Sequence, residues 1–161
     1  KLKNIPKTFQ IKNQVIYLGR DSFEKGIDIL KSVEDKIHGK VIYCTNIPWE
    51  EAMIELKRSS VLIIPSRIES IPQIIKEAYY LKIPVIATNV GGVSEIINHN
   101  ETGILIPSED PLALTQSVNS LLSNDAKINE LTENAFKFVI QNYSWDNLLP
   151  QYIDFYKKLL E

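Results

Sequence analysis

Residues 61–92, VLIIPSRIESIPQIIKEAYYLKIPVIATNVGG, constrain the fold of this chain more than any other stretch. They begin with four apolar residues, Val61–Ile64, and a polar loop of Pro65, Ser66 and Arg67 follows at once. A short apolar run that stops at such a loop is typical of a strand buried on both faces of a parallel sheet. We therefore predict that a parallel sheet organises the fold.

A helix start follows this loop. Ser70 as a cap with Gln73 as its reciprocal partner, or Pro72 at the first helical position, would begin the helix here. We expect one helix face, made by residues spaced i, i+3, i+4, i+7, to lie on the sheet, with Gln73 and Glu77 on its flank. The residues of that face are Ile71, Ile74, Ile75 and Ala78.

Two carboxylates lie on either side of this helix start. Glu69 belongs to the loop, and Glu77 falls one to two turns into the helix. Ligands of open parallel sheets bind in the crevice outside the carboxyl ends of the strands. A strand end, a loop carboxylate and a helix carboxylate together predict a ligand crevice at this edge of the sheet.

Further strands and helices alternate along the chain. Residues 15–18, 41–44, 84–88 and 104–106 have the composition of short buried strands. Alternation with helices predicts the α/β class, with a doubly wound parallel sheet covered on both faces. Two of the apolar helix faces between these strands are carried by Ile27, Leu30, Val33 and Ile37 and by Ala52, Met53 and Leu56.

Helix starts are predicted at three further points. Glu95 should begin a helix, and Asp110 and Pro111 have the residue types of a cap and a first helical position. Ser144 should cap the last helix, which Pro150 is expected to break or kink. Its apolar face is made by Trp145, Leu148, Leu149, Tyr152, Tyr156 and Leu159.

The composition limits the number of domains and the class of partner. With 161 residues, 44% of them hydrophobic, the chain has the size of one domain. Lysine and arginine total 18 against 20 aspartate and glutamate, which disfavours nucleic acid as a partner. Residues 1–13 are polar and are predicted to be a linker or a frayed entry segment that leads into a domain over residues 14–161.

The single cysteine, Cys44, excludes an internal disulfide and a cysteine-cluster metal site. This suits a reducing compartment, so a cytoplasmic location is expected. No apolar run approaches the roughly 20 residues of a membrane-spanning helix, and no signal peptide is expected. Because the chain opens on Lys1 rather than on methionine, we expect it to be part of a longer protein.

Residues 61–95 resemble the donor-binding signature of the retaining glycosyltransferases with the GT-B architecture, in glycosyltransferase family 4 (glycosyl transferases group 1). The family pattern reads P-S-x-x-E-[GS]-[FIL]-[GP]-x-x-x-x-E-A, followed by G-x-P-V-[IV]-A-[ST]-x-x-G-G-x-x-E. The likeness covers most of the chain from Val15 and implies the second, Rossmann-like half of such an enzyme. The matching residues are Pro65, Ser66, Glu69, Ser70, Ile71, Pro72, Glu77, Ala78, Pro84, Val85, Ile86, Ala87, Thr88, Gly91, Gly92 and Glu95.

A G-R-x-x-x-x-K-G stretch after the first strand holds the donor diphosphate in this family, and Gly19, Arg20 and Lys25 match it. A diphosphate needs cationic donors and backbone N–H groups aimed at one point, and a strand-to-helix loop offers both. Arg20 and Lys25 are thereby implied to stabilise the leaving diphosphate without a metal or other cofactor. Taken alone, the stretch also fits a solvated turn in which neither cation has a role.

The resemblance implies roles for the residues around the helix start as well. Glu69 is expected to contact the sugar ring and Glu77 to hold the ribose hydroxyls, because a carboxylate can accept hydrogen bonds from two vicinal hydroxyls. Pro72 replaces a glycine of many relatives and has no N–H, so its neighbours would supply the phosphate-facing amides. The implied donor-binding set is completed by Ser70, Ile71 and Gln73.

The implied activity is transfer of a hexose from a nucleotide diphosphate sugar, with retention, to a growing glycan or glycolipid, as in polysaccharide biosynthesis. The implied partners are the nucleotide sugar, an N-terminal acceptor domain of the same protein and, through the full-length enzyme, a membrane surface. The last helix, about residues 150–161, would cross to the acceptor domain. Without that domain the chain is expected to be inactive.

The chain departs from the family pattern in one place. Relatives have an additional strand and helix before the segment that Val41 begins here, so one such unit is expected to be deleted and the sheet to have fewer than six strands. Family loops from this region contact the nucleobase. Trp49 therefore has two interpretations, a stacking face for a base or a side chain packed against the core.

Two other classes of protein fit the same residues. One is a nucleotide-sugar binding module without catalytic activity. The other is an ordinary doubly wound domain, of the response-regulator or nucleoside-binding kind, in which the carboxylates are a coincidence. The lack of a G-x-G-x-x-G loop and of an aspartate cluster at the first strand end counts against the dinucleotide-binding and receiver versions.

Overall fold

A five-stranded parallel sheet forms the centre of the fold, in a computed structural model that describes residues 2–160. The strands are β1 (Gln14–Leu18), β2 (Lys40–Cys44), β3 (Val61–Ile64), β4 (Val85–Thr88) and β5 (Ile104–Ile106). The helices are α1 (Ile27–Lys31), α2 (Trp49–Arg58), α3 (Gln73–Tyr80), α4 (Pro111–Leu122), α5 (Asp125–Tyr143) and α6 (Trp145–Leu159). The strand order is β2-β1-β3-β4-β5 and all neighbours are parallel, so the predicted doubly wound α/β fold is confirmed.

The strand order reverses between β1 and β3. From β1 the chain passes to β2 on one side, and from β2 it returns to β3 on the other side of β1. Such a reversal separates the loops at the carboxyl ends of the two strands and opens a crevice between them. This crevice lies at the edge of the sheet where the sequence predicts a ligand.

Helices cover both faces of the sheet. Successive strand residues point to opposite faces, and Val15 and Tyr17 belong to one buried cluster whereas Ile16 belongs to the other. The first cluster joins the sheet to α1 and α4, and the second joins it to α2, α3 and part of α5. The sheet is therefore an internal layer, which explains why its strands are continuous apolar runs.

The sheet has five strands, and residues 25–40 contain no additional one. β2 begins at Lys40, directly after the turns that follow α1. The expected sheet of fewer than six strands is thus confirmed.

The first helix is shorter than its apolar pattern indicates. The four apolar residues of its predicted face are buried, yet α1 has five residues and lies between two 3₁₀ turns, Phe23–Lys25 and Glu34–Lys36. Gly26, with φ of 62°, precedes α1, and the Ser32 hydroxyl at its end donates to the Ile29 carbonyl at 2.7 Å. The left-handed glycine and the local hydroxyl bond limit the helix at its two ends.

Neither predicted register of the helix after β3 is correct. α3 begins at Gln73, Pro72 is extended with φ of −66° and ψ of 118°, and no side chain caps the helix. The Ser70 carbonyl instead accepts a bond from the Gly92 N–H at 2.8 Å, which holds the chain extended before the helix. Ile71 consequently lies outside the helix and is 39% exposed, while the rest of the predicted face packs on the sheet.

The helix predicted to begin at Glu95 does not form. A 3₁₀ turn, Gly91–Glu95, ends there instead. The Asn98 N–H donates to the Thr102 hydroxyl at 3.0 Å rather than to a helical carbonyl. This side-chain bond closes a turn that leads directly to β5.

The C-terminal helices begin where the sequence predicts. Asp110 caps α4 by accepting the Ala113 N–H at 2.8 Å, and Ser144 occupies the N-cap position of α6 without a capping bond from its side chain. Pro150 lies inside α6, so it does not break the helix, and the alternative of a kink stays a prediction. α6 buries none of its residues, and water can therefore satisfy the carbonyl that proline leaves without a donor.

The two ends of the chain differ in how they are held. The Ile11 N–H donates to the Arg58 carbonyl at 2.7 Å and fastens the leading segment to the end of α2; its assignment as a linker stays a prediction. α6 leaves apolar side chains in solvent, with Tyr152 and Tyr156 more than half exposed. No helix among residues 2–160 is long and apolar enough to cross a bilayer.

Candidate functional site

Three loops meet at the carboxyl edge of the sheet. They follow β1, β3 and β4 and comprise residues 19–26, 65–72 and 89–90. The site residues predicted from the sequence all lie in the first two loops or in α3.

Two glycines allow the segments after β1 and β4 to touch the loop after β3. Gly26 and Gly91 have positive φ angles of 62° and 52°. A Cβ at Gly26 would lie 2.0 Å from the Pro65 carbonyl oxygen, and one at Gly91 would lie 1.8 Å from the Glu69 carbonyl oxygen. Since no side chain fits at either position, glycine is what permits both neighbouring segments to rest against the loop after β3.

Lys25 and Glu69 form an ion pair across two of the loops. Lys25 Nζ lies 2.6 Å from Glu69 Oε1, and Ser66 Oγ donates to the same oxygen at 2.7 Å. The Glu69 side chain is 7% exposed and that of Lys25 is 24% exposed. The nearly buried carboxylate is therefore held by two donors, one of which is charged. The structure brings a predicted cation and a predicted carboxylate together.

A pocket of about 370 Å³ opens at the carboxyl ends of β1 and β2, between α2 and α3. Among the predicted site residues, Gly19, Arg20 and Glu77 line it, whereas Lys25 and Glu69 do not. A mostly apolar pocket with a few polar groups is typical of a small-molecule site. Its other walls are Leu18, Cys44, Asn46, Ile47, Trp49, Ala52, Met53 and Ile74.

Trp49 contacts Glu77 at the wall of this pocket. The indole Nε1–H donates to Glu77 Oε1 at 2.7 Å, and the ring is also partly buried against the core. Packing against the core is one of the two interpretations of Trp49 from the sequence. The hydrogen bond to Glu77 has no signal in the sequence, because the two residues are 28 positions apart and belong to different helices.

The loop after β1 is fixed by Tyr17. Its hydroxyl donates to the Arg20 carbonyl at 2.6 Å, and the Gly19 N–H donates to the Cys44 carbonyl at 3.3 Å. Burial, together with the charge of Asp21, raises the pKa of Tyr17 to about 12, so the hydroxyl keeps its proton at neutral pH. The Arg20 side chain is exposed and forms no ion pair with any described residue.

Arg67 joins the segments that follow β1, β3 and β5, a role that the sequence does not indicate. Its guanidinium binds both carboxylate oxygens of Asp28, at 2.7 and 2.8 Å, and also binds Glu109. It donates to the Phe23 carbonyl at 2.7 Å and lies 3.9 Å from the centre of the Phe23 ring. The hydrogen bonds from Arg67 lower the pKa of Asp28. Residues that follow β1, β3 and β5 are thereby tied together around the ion pair of Lys25.

The three remaining predicted residues lie at the surface before and at the start of α3. Ser70, Ile71 and Gln73 are exposed and line no wall of the pocket. All three follow Glu69 within four positions in the chain. Residues 2–160 contain no group of three or more histidine, cysteine, aspartate or glutamate side chains that could hold a metal ion.

The sequence of this chain is similar to the sequences of known glycosyltransferases. The D-inositol 3-phosphate glycosyltransferase of Corynebacterium urealyticum is 30% identical over 112 residues, which cover 70% of this chain and 26% of that protein. The 2-deoxystreptamine N-acetyl-D-glucosaminyltransferase of Niallia circulans is 26% identical over an alignment that covers 90% of this chain and 45% of that protein. The chain spans less than half the length of these relatives.

Solved structures of glycosyltransferases share the fold. Sucrose-phosphate synthase from Thermosynechococcus elongatus superposes with a TM-score of 0.82 at 23% identity, over 92% of this chain and 46% of that one. The C-terminal domain of a glycosyl transferase group 1 protein from Francisella tularensis superposes with a TM-score of 0.69 at 19% identity. The superposition covers 84% of this chain and 88% of that one. The sheet and its helices therefore match the Rossmann-like domains of GT-B structures.

The family itself is identified by sequence. The sequence model of the family described as Glycosyl transferases group 1 matches residues 31–138, well over half of the chain. The matched range includes Glu69 and Glu77 and the loops after β3 and β4. This chain therefore belongs to the group 1 glycosyl transferases.

Proposed function

We propose that this chain is the donor-binding half of a retaining glycosyltransferase of family 4. The whole protein would transfer a hexose from a nucleotide diphosphate sugar to a glycan or glycolipid, as in polysaccharide biosynthesis. One observation carries the proposal: the loops after β1 and β3 bring Lys25 and Glu69 to 2.6 Å at the switch point of the sheet, where ligands of such sheets bind. Relatives named as glycosyltransferases, and Anabaena HepE solved with UDP-glucose, support it.

Arg20 and Lys25 bind the diphosphate in this proposal. An ammonium group has three hydrogen-bond donors, and Lys25 donates one hydrogen bond to Glu69. Its other two donors can therefore reach phosphate oxygens. Arg20 is exposed at the pocket and its guanidinium suits two phosphate oxygens at once. Both charges act most strongly when the leaving diphosphate gains charge, which stabilises the transition state without a metal or cofactor.

Two carboxylates divide the sugars of the donor between them. Glu69 contacts the hexose ring, since its carboxylate lies beside the proposed diphosphate ligand Lys25 and keeps lone pairs beyond those used by Lys25 and Ser66. Glu77 holds the ribose hydroxyls from the wall of the pocket.

Backbone amides complete the proposed diphosphate site. Pro72 has no N–H, so the amides of Ile71 and Gln73, together with Ser70, face the phosphates at the start of α3. The positive end of the α3 dipole lies at the same place and favours an anion there.

The remainder of the enzyme supplies the acceptor site. We assign that site to a domain that precedes residue 14 in the full-length protein, and we assign α6 the role of crossing to it. The exposed Tyr152 and Tyr156 support this, because an aromatic face without a partner in one domain suits contact with another. A cytoplasmic location and peripheral membrane contact of the full-length enzyme belong to the same proposal.

Calorimetry with UDP, GDP and ADP tests the proposed donor site. At least one diphosphate should bind the parent chain, and Arg20→Ala should weaken it at least tenfold, since hydrogen bonds to charged groups contribute about 1.5 to 3 kcal/mol each. Arg20→Ala is a cleaner test than Lys25→Ala, because removal of Lys25 also leaves the nearly buried Glu69 without its cation.

Lys137→Ala is the matched control. Lys137 is exposed on α5, which contributes nothing to the pocket, so the variant loses one charge without touching the site. If Arg20→Ala and Lys137→Ala bind the diphosphate equally well, the assignment of the donor site is wrong. Binding without transfer by the full-length protein would instead favour a non-catalytic nucleotide-sugar binding module.

A further inference from the structure

Trp49 and Glu77 connect two helices at one wall of the pocket. Trp49 is the first residue of α2, and Glu77 lies in the second turn of α3. The indole Nε1–H donates to Glu77 Oε1 at 2.7 Å, and both side chains line the pocket. The bond therefore acts on a carboxylate that faces a ligand space rather than on one in the core.

The tryptophan is the more rigid partner. Its ring packs against the buried cluster that contains Met53, whereas a glutamate side chain has three torsions that must be ordered when a ligand binds. An indole N–H can only donate, and a carboxylate has about four acceptor positions. One bond from Trp49 can therefore orient Glu77 and still leave it able to accept from hydroxyl groups.

We infer that Trp49 is a positioning residue for Glu77, and that it prepares this carboxylate to bind the vicinal hydroxyls of the nucleotide ribose. The inference rests on the proposed function, which gives Glu77 the ribose. Trp49 does not contact the reacting atoms in this scheme. It acts through Glu77 and raises selectivity for a ribonucleotide over the same nucleotide without its ribose hydroxyls.

A purely structural role for Trp49 makes a different prediction. A ring that only fills space at the start of α2, or that only stacks on a base, would affect ribonucleotides and dideoxynucleotides alike. A ring that orients Glu77 affects the ribonucleotide alone, since only that ligand has hydroxyls for the carboxylate. Discrimination between the two ligands is thus the quantity to measure.

The test uses Trp49→Phe, which keeps an aromatic ring and removes the N–H. The tightest binder among UDP, GDP and ADP is titrated by calorimetry together with its 2′,3′-dideoxy form. The parent should bind the ribonucleotide at least tenfold more tightly than the dideoxy form. In Trp49→Phe the ratio of the two affinities should fall to about threefold or less. The affinity of this variant for the dideoxy form should stay within about twofold of that of the parent.

A double-mutant cycle with Glu77→Ala gives a second measurement. On the Glu77→Ala background, which has no side-chain acceptor at this position, Trp49→Phe should change ribonucleotide affinity by less than about twofold, because its effect passes through the Glu77 side chain. The indole N–H resonance of Trp49 supplies a readout that needs no variant of Trp49 itself. It should shift in Glu77→Ala, while the resonance of Trp145, the only other tryptophan, should not.

The outcomes separate this inference from the proposed function. Equal weakening of both nucleotides in Trp49→Phe, or an unchanged ratio, overturns the positioning role. A parent chain that binds both forms equally well shows that Glu77 does not hold the ribose; the inference then fails while diphosphate binding stands. A parent that binds none of the three diphosphates overturns the proposed function and this inference with it.

Discussion

Lys25 and Glu69 are 44 positions apart in the chain, yet their charged groups meet at 2.6 Å with the Glu69 side chain only 7% exposed. A carboxylate this far from water is costly to bury unless a cation and hydrogen-bond donors accompany it. Any anion that attracts Lys25 will therefore also change the surroundings of Glu69. This relationship makes the loops after β1 and β3 a single chemical unit.

Glu69→Ala and Glu77→Ala should differ in kind in the full-length enzyme. Ribose contacts are the same in the ground and transition states, so loss of Glu77 should raise KM about tenfold with little change in kcat. Loss of Glu69, next to the cation that is proposed to hold the leaving group, should lower kcat about a hundredfold or more. Steady-state kinetics would measure both, with the exposed Glu51→Ala as a control outside the pocket. Equal rises in KM with unchanged kcat would refute the two roles.

The chain by itself should bind a nucleotide diphosphate and transfer no sugar. The proposed binding groups are all in this chain, whereas the proposed acceptor site belongs to another domain, so the reacting groups should not be brought together. Release of free UDP from UDP-glucose, followed by chromatography, should stay at the rate without protein. Sugar transfer by this chain to an added acceptor would contradict the need for a second domain.

The contact between Asp28 and Arg67 should make stability depend on acid pH. Hydrogen bonds from Arg67 lower the pKa of Asp28 in the folded protein, and in the unfolded chain this pKa is about 3.9. The stabilisation is therefore fully present above about pH 4 and is lost as the pH falls through the folded-state pKa. Arg67→Gln should return the pKa of Asp28 to its ordinary range, as measured by NMR titration of the carboxyl group.

Arg58→Gln is the control for this titration, because its carboxylate partner is Glu55. It should leave the pKa of Asp28 unchanged. A depressed Asp28 pKa that persists in Arg67→Gln would show that another group causes the shift.

Gly26→Ala should destabilise the fold and disturb the site together. A Cβ at this residue would meet the Pro65 carbonyl oxygen at 2.0 Å, and its φ of 62° disfavours any side chain. We expect a loss of about 2 kcal/mol or more in the free energy of unfolding, and weaker diphosphate binding because Lys25 precedes this position. Ser22→Ala, in ordinary extended backbone of the same loop, should cost less than about 1 kcal/mol. Denaturant unfolding would compare the two variants, and equal stabilities would argue against close loop contact.

Local patterns were sufficient to predict the strands and several helix starts. Val61–Ile64 is an apolar run that ends in a polar loop, and Asp110 with Pro111 has the chemistry of a cap, so both are decided by neighbours in the chain. The starts near Ser70 and Glu95 could not be located in this way. Hydrogen bonds to distant residues or to side chains determine where these helices start. The main one is the bond from the Gly92 N–H to the Ser70 carbonyl.

The sequence by itself determined the α/β class, the parallel sheet of fewer than six strands and the position of the charged residues at the carboxyl edge. Only the tertiary structure decided the partners of those residues: Lys25 with Glu69, and Glu77 with Trp49. Strand and cap signals depend on residues a few positions apart, and such residues are close in every conformation of the chain. The side-chain pairs join residues tens of positions apart, which meet only after the crossovers place their loops and helices at the same edge of the sheet.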